Sequence, residues 1–216
     1  MQGVFLTFEG IDGSGKTTQL NRLAAYLRRR GFSVLVTREP GGTPPGEKIR
    51  RLLLSTSSRG MDPRTELLLM FASRAQHVAE VIAPALAAGT IVLSDRFTHA
   101  SIAYQGYGRG LSLRFIRTLE RFACRGVKPD LTFVIEINPR TSLRRARHRN
   151  RQARADEARF ERETRRFYER VRRGYRALAR AQPRRVLLVN GEDTVENVHR
   201  QVVALVQRRL QLKERG

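Results

Sequence analysis

An eight-residue stretch between two patterned elements leaves this chain few folds to choose from. Residues 10–17 read GIDGSGKT and match G-x-x-x-x-G-K-[ST]. VFLTFE (4–9) ahead of it is an apolar strand candidate, and TTQLNRLAAYLRRR (17–30) behind it carries apolar residues at helical spacing. A glycine-rich turn in that setting lets backbone N–H groups curl around a phosphate chain at the positive end of a helix. Gly10, Ile11, Asp12, Gly13, Ser14, Gly15, Lys16, Thr17 and Thr18 are therefore the expected cradle of a nucleoside triphosphate. Lys16 would reach the terminal phosphates, and Thr17 would offer its hydroxyl to Mg²⁺. A glycine turn with a chance lysine is the bland alternative, and the flanking strand and helix argue against it.

The rest of the chain repeats the alternation. Further strand candidates are SVLVT (33–37), TIVLS (90–94), LTFVIEI (131–137) and RVLLVN (185–190). Helical periods cover 15–30, 45–55, 63–88, 112–125, 139–150, 157–182 and 194–212. Short apolar runs alternating with longer amphipathic ones predict an α/β fold with a parallel sheet covered on both faces. Pro139 suits the first turn of its helix, and Asp193 or Thr194 can cap the last one. No repeat, linker or compositional break divides residues 1–216, which predicts a single domain.

Composition narrows the class. Hydrophobic residues make up 40% of the chain, which excludes a disordered protein. The single cysteine, Cys124, rules out an internal disulfide and suits a reducing compartment. The opening GVFLTFEG has no basic segment ahead of an apolar run, and no apolar stretch approaches the ~20 residues of a membrane span. A cytoplasmic protein without a membrane partner is the expectation.

The net charge of +22 is unusual, and 38 of the 42 basic residues are arginine. Eighteen arginines against five carboxylates fall within 140–185. Such a tract suits a nucleic-acid surface if stacking aromatics are interleaved with the charge. Here Phe160, Phe167, Tyr168 and Tyr175 fall at helix-core spacing instead, so no nucleic-acid partner is expected. Arginines from 162 onward should mostly form solvated helix faces.

The loop identifies a nucleotide, not its fate. A GTPase needs D-x-x-G and N-K-x-D; DRFT (95–98) lacks the glycine, and NGED (190–193) has Gly191 where the lysine belongs. A kinase needs a second anion site. Asp95 ends a strand where it can hold Mg²⁺, with Arg96 beside it, and TREPGGT (37–43) ends the neighbouring strand with Arg38. Strand ends in an open α/β sheet line one crevice, so Arg38 and Arg96 should converge near the loop. Buried guanidiniums without carboxylates would require an anion, unless salt bridges such as Arg38 with Glu39 satisfy them. Phe71 and Arg74 are spaced i, i+3 on one helix face, which suits either a nucleobase platform or plain core. Ser101, Tyr104 and Gln105 add polar groups on SIAYQGYGRG (101–110), which by itself reads as a loop with a helix start.

Taken in order, FEGIDGSGKTTQ, TREPGGT, LLLMFASRAQH, DRF, AYQGYGRG and KPDLTFVIEI resemble the thymidylate kinase family over nearly the whole chain. The resemblance implies a five-stranded parallel sheet of the nucleoside-monophosphate-kinase type, a homodimer, and transfer from ATP to dTMP with Mg²⁺. It implies that Phe71 stacks on thymine, Arg74 and Ser101 contact the base, and Gln105 touches the nucleoside. Tyr104 would fill the space of a ribose 2′-hydroxyl, Asp12 would meet the 3′-hydroxyl, and Arg38 and Arg96 would hold the acceptor phosphate. Glu39–Pro40 matches a peptide bond that is cis in the family. The tract at about 145–161 corresponds to a lid over ATP. The loop carries Gly13 where some members have arginine, so charge must come from the lid. Arg145, Arg147 and Arg149 match lid arginines of the bacterial class, while ARFE (158–161) has Ala158 in place of the family's aspartate. Arg149 and Arg159 are the candidates for the transferring phosphoryl group.

Overall fold

The computed structural model describes residues 3–142, 144–145, 159–160 and 163–210. Five parallel strands, β1 (Val4–Glu9), β2 (Val34–Arg38), β3 (Ile91–Asp95), β4 (Leu131–Glu136) and β5 (Val186–Asn190), form one sheet in the order β2-β3-β1-β4-β5. β1 pairs with β3 on one side and β4 on the other. The order therefore reverses beside β1, and such a switch point opens a crevice at the carboxyl ends of the strands.

Alternation along β1 supplies both faces. Leu6 and Phe8 pack with Leu20, Leu23 and Leu27 of α1 (Lys16–Arg28) and with Val198, Val202 and Val206 of α8 (Val195–Leu210). Phe5 turns the other way, toward Val92, Phe97 and Ile82. That second face also carries α2 (Pro44–Leu54), α3 (Pro63–His77), α6 (Leu113–Cys124) and α7 (Arg165–Ala181). The helix of α3 continues through a π-helical turn, Val78–Ile82, into α4 (Ala83–Ala87). Thr43 caps α2 by accepting from the Gly46 N–H, with Pro44 at the first turn, and Thr194 caps α8 by accepting from the Asn197 N–H.

Sequence and structure differ most at 98–108. The stretch 101–110, read as a loop with a helix start, is helical through Gly108: α5 (Thr98–Ser101) runs into a π-helical segment, Ile102–Gly108. Its glycines misled the local reading, because here they serve close packing. A Cβ at Gly174 of α7 would stand 2.9 Å from the Tyr107 ring, so α7 can lie this close to the segment only with glycine. The helix expected from residue 157 is described from Arg165, where the Thr164 hydroxyl accepts from the Phe167 N–H. Phe160, Phe167, Tyr168 and Tyr175 are buried, as their spacing predicts.

Candidate active site

The loop after β1 enters on Gly10, whose φ of 134° belongs to glycine and whose Cβ would stand 2.5 Å from the Ile135 carbonyl oxygen. Gly13 and Gly15 also take positive φ, and Gly15 directly precedes α1. Lys16 folds back over the loop and donates to the Ile11 carbonyl oxygen at 3.1 Å. Burial, reinforced by the neighbouring Arg96 charge, lowers its pKa to about 8, against the pull of Asp95 and Asp12. Thr17 donates its hydroxyl to Asp95 at 2.5 Å. These two oxygens meet at the helix N-terminus beside the loop, a donor set that fits a hard cation also held by phosphates and water. Among the described residues no group of three or more His, Cys, Asp or Glu could hold a metal by itself.

A cleft of about 1130 Å³ runs along this loop and on to Gly191, Asp193 and Val195. Arg145 lines it; Arg147 and Arg149 lie outside the described residues. A second, smaller cavity of about 100 Å³ adjoins it, lined by Asp12, Met70, Arg74, Arg96, Ser101, Tyr104 and Gln105 among others. Asp12, Arg50, Arg96 and Phe160 line both.

Arg96 stands at this common wall in a left-handed conformation, φ 76°, which non-glycine residues adopt at a cost. Its backbone N–H bonds the Phe8 carbonyl oxygen. Its guanidinium donates to Asp12 at 2.7 Å, to the Gly10 carbonyl oxygen and to Tyr104, with Cζ 4.8 Å from the Tyr104 ring centre. Burial works against that charge, but Tyr104 and Asp12 overcome it and hold the pKa well above the usual value. Behind Arg96, the fully buried Glu9 accepts from the Phe97 and Ala100 N–H groups and from the Tyr175 hydroxyl, which ties the turn to β1 and α7. Burial pushes Glu9 up to about 7, with the Arg96 charge opposing it.

Arg38 corrects an expectation. Its side chain is 55% exposed and pairs with Glu47 of α2 at 3.1 Å, not with Glu39. It lines the larger cleft but is no buried cation. Glu39 instead lies buried next to a cis bond to Pro40, accepting from Arg74 Nε at 2.7 Å and pairing with His77 at 3.0 Å. Arg74 donates further to Ser101 and to the Phe97 carbonyl oxygen. Phe71 is buried beneath it, ring centre 4.6 Å from Cζ, so Met70 and Arg74 are the α3 residues lining the smaller cavity. Gln105 lines it as well while donating to Glu66 at 2.7 Å.

Arg159 is buried, and its guanidinium reaches Glu66 at 2.7 Å and the Leu53 carbonyl oxygen. Three residues escaped the sequence reading. Arg50 borders both cavities while donating to the Pro40 carbonyl oxygen, Glu66 gathers two arginines, and the Tyr168 hydroxyl reaches Asp12 at 3.4 Å. Arg50 looks no different in sequence from exposed Arg51, and nothing local marks the other two.

A family model described as thymidylate kinase matches residues 8–202. The chain is 46% identical over 215 residues to a thymidylate kinase of Desulfovibrio desulfuricans, covering 99% of each. It is 49% identical over 206 residues to one from Pseudomonas putida, covering 95% of this chain and 96% of the relative. The crystal structure of thymidylate kinase from Ehrlichia chaffeensis superposes with a TM-score of 0.77 at 36% identity, over 96% of this chain and 99% of that one. On fold, cradle and relatives together, this chain belongs to the thymidylate kinase family.

Proposed function

We propose that the chain carries out its family's reaction, phosphorylation of dTMP, as one in-line transfer from ATP with Mg²⁺. The observation that carries this reading is the wall common to the two cavities. A triphosphate along the loop and a monophosphate in the smaller cavity meet there, at Asp12, Arg50 and Arg96. An oxygen of the dTMP phosphate attacks the γ-phosphorus, the bond to the β-phosphate oxygen breaks, and ADP leaves. This chemistry asks the protein for positioning and positive charge rather than a nucleophile. Lys16 and the loop N–H groups hold the donor phosphates, and Arg38 and Arg96 hold the acceptor phosphate. Thr17 and Asp95 would hold Mg²⁺, which neutralises charge on the donor phosphates when bound. Arg145 and Arg147 serve ATP, and Arg149 of the lid supplies charge to the transferring group; the last two lie outside the described residues.

In the smaller cavity, Arg74 forms the wall for the base, with Phe71 buried beneath it as the aromatic support and Ser101 and Gln105 at hand for polar contacts. Asp12 takes the sugar 3′-hydroxyl. Tyr104 is boxed by Phe160, Phe167 and Tyr175 with centroid distances of 5.7, 6.0 and 6.5 Å, so a ribose 2′-hydroxyl placed against it would be buried without a partner. Exposed Leu52, Leu68, Phe115 and Phe122 lie on the neighbouring helices α2, α3 and α6. Phe115 and Phe122 share one helix face, and Phe122 is 83% exposed, which supports a homodimer through this surface. Among the described residues no helix is long and apolar enough to cross a membrane, and we place the enzyme in the cytoplasm.

Coupled ADP release across a panel of nucleoside monophosphates tests the reading. Turnover should be strongest with dTMP and far weaker with its ribose analogue. Equal kcat/KM for the two would remove Tyr104 from acceptor choice, and turnover confined to another monophosphate would overturn the function.

A further inference from the structure

Arg159 matches a family arginine expected near the transferring phosphoryl group, yet its bonds lead elsewhere. The side chain is 7% exposed, and its Nη2 donates to Glu66 Oε2 at 2.7 Å while Nε donates to the Leu53 carbonyl oxygen. Its backbone N–H bonds the Leu54 carbonyl oxygen. The carboxylate that receives it sits fully buried in the first turn of α3, where it also takes Arg109 at 3.0 Å and Gln105 at 2.7 Å. Glu163 balances the second arginine at 2.7 Å. Two guanidiniums and two carboxylates thus compensate one another, and a buried pair of this kind fixes geometry.

What that geometry fixes is the next residue. The Phe160 ring lies 4.5 Å from Arg159 Cζ and 5.8 Å from Arg109 Cζ, and meets Tyr104 edge-on at 5.7 Å. The Phe160 carbonyl oxygen accepts from the Tyr168 hydroxyl at 2.8 Å. Phe160 lines both cavities, whereas Arg159 lines neither. We propose that Arg159 and Glu66 are positioning residues that hold Phe160 as a wall of the acceptor pocket, so that Arg159 serves acceptor affinity and not the transferring phosphoryl group. The inference rests on the smaller cavity being the acceptor site. An apolar ring set there displaces water from beside the sugar and presses on Tyr104, which makes Phe160 a determinant of acceptor affinity and of deoxyribose preference.

The test compares Phe160→Ala, Arg159→Met, the double variant, Arg159→Lys and Ser101→Ala. It measures dTMP binding by calorimetry without ATP, kcat at saturating dTMP, and folding by circular dichroism. Loss of an apolar wall should weaken dTMP binding about tenfold in Phe160→Ala. Arg159→Met should act in the same direction, with its effect on kcat at saturating dTMP smaller than its effect on binding. The double variant should bind no worse than Phe160→Ala alone, because residues acting through one another are not additive. Arg159→Lys should recover part of the binding, since a lysine keeps the charge opposite Glu66 but not the planar fork. Unchanged dTMP binding in a folded Arg159→Met with a collapsed kcat would overturn the proposal, as would additive losses in the double variant. If Arg159→Met fails to fold, Phe160→Ala and Arg159→Lys still decide. Weakened dTMP binding in Ser101→Ala with none in Phe160→Ala would sink the proposal alone. Unchanged binding in both would sink the acceptor pocket itself.

Discussion

The two cavities that share Arg96 are built on opposite principles. The proposed donor cradle is one run of nine consecutive residues, 10–18, expected to meet the phosphates through backbone N–H groups. Glycines at positive φ set its curvature, and the start of α1 aims its N–H groups. The acceptor pocket has no such stretch. Its wall comes from the loop after β1, the turn after β2, α2, α3, the 98–108 helix and Phe160, and it is made of side chains locked by buried ion pairs. A backbone site tolerates most side chains along it but not a change of φ. A side-chain site depends on every partner that fixes a rotamer. Mutations should therefore separate cleanly, with donor-side changes acting on transfer and acceptor-side changes on dTMP alone.

The largest break should come from the donor side. Arg149→Ala is expected to lower kcat by roughly 10³–10⁵-fold, the range for an arginine that meets transition-state charge, with dTMP affinity nearly unchanged. Full activity in this variant would leave transfer to the fixed cations Lys16 and Arg96. Next, Lys16→Ala should cost about 10²–10³-fold in kcat, as loss of one preorganised donor does. The same ammonium sets a pH limit. Its pKa is lowered to about 8, and the charged form is the competent one. Free-enzyme kcat/KM for ATP should thus fall as pH rises through about 8, approaching tenfold per unit. A flat profile up to pH 10 would show that Lys16 keeps its proton throughout that range.

The same contrast explains what could be read before the structure. Apart from the 98–108 segment, the order of the main elements and all five strands were legible, the strands to within a residue or two, because each strand is a short apolar run and the longer helices show their period. The loop's shape was legible outright, since its sequence pattern is local: Gly10, Gly13 and Gly15 take positive φ directly ahead of α1. Acceptor roles for Phe71, Arg74, Ser101 and Tyr104 were expectations of the family resemblance, with spacing alone offering Phe71 and Arg74 as a base platform or core; Arg74, Ser101 and Tyr104 line the smaller cavity and Phe71 does not. Phe71 is buried under Arg74, as the core alternative has it. Partnerships were illegible. Arg38 pairs with Glu47, nine residues on, and not with its neighbour Glu39, which is buried and taken by Arg74 and His77. The helix through Gly108 was read only as a loop with a helix start because Gly106 and Gly108 suggest a turn, while the packing of Leu113 and Phe167 against them overrides local propensity.

A medium-sized effect belongs to the acceptor side. If Phe71 carries the base, Phe71→Ala should weaken dTMP by ~1–3 kcal/mol, about 5–150-fold, and leave the KM for ATP almost unmoved. Equal losses for both nucleotides would mean that Phe71 supports the fold under Arg74 and does not meet the base.

The smallest effect tests whether arginine density itself matters. Arg165 and Arg166 open α7, and both are exposed; among the described residues Arg165 pairs with exposed Glu169, one turn on. Such a pair contributes about 0.3–0.5 kcal/mol, so Arg165→Ala with Arg166→Ala should shift Tm by roughly 1–2 °C and kcat by less than about twofold. Farther along the same helix, Arg172 and Arg176 both donate to Glu136 at the end of β4, where the carboxylate is largely shielded. Arg170 donates to the Gly108 carbonyl oxygen and fastens α7 to the 102–108 segment behind Tyr104. Removing Arg170, or Arg172 together with Arg176, should lower Tm more than removing the exposed pair, although each change deletes the same kind of side chain. A thermal melt of the three variants decides the matter. If the exposed pair proved as costly as the other two, tract charge would matter as a sum, and the bonds each arginine makes would not explain its presence.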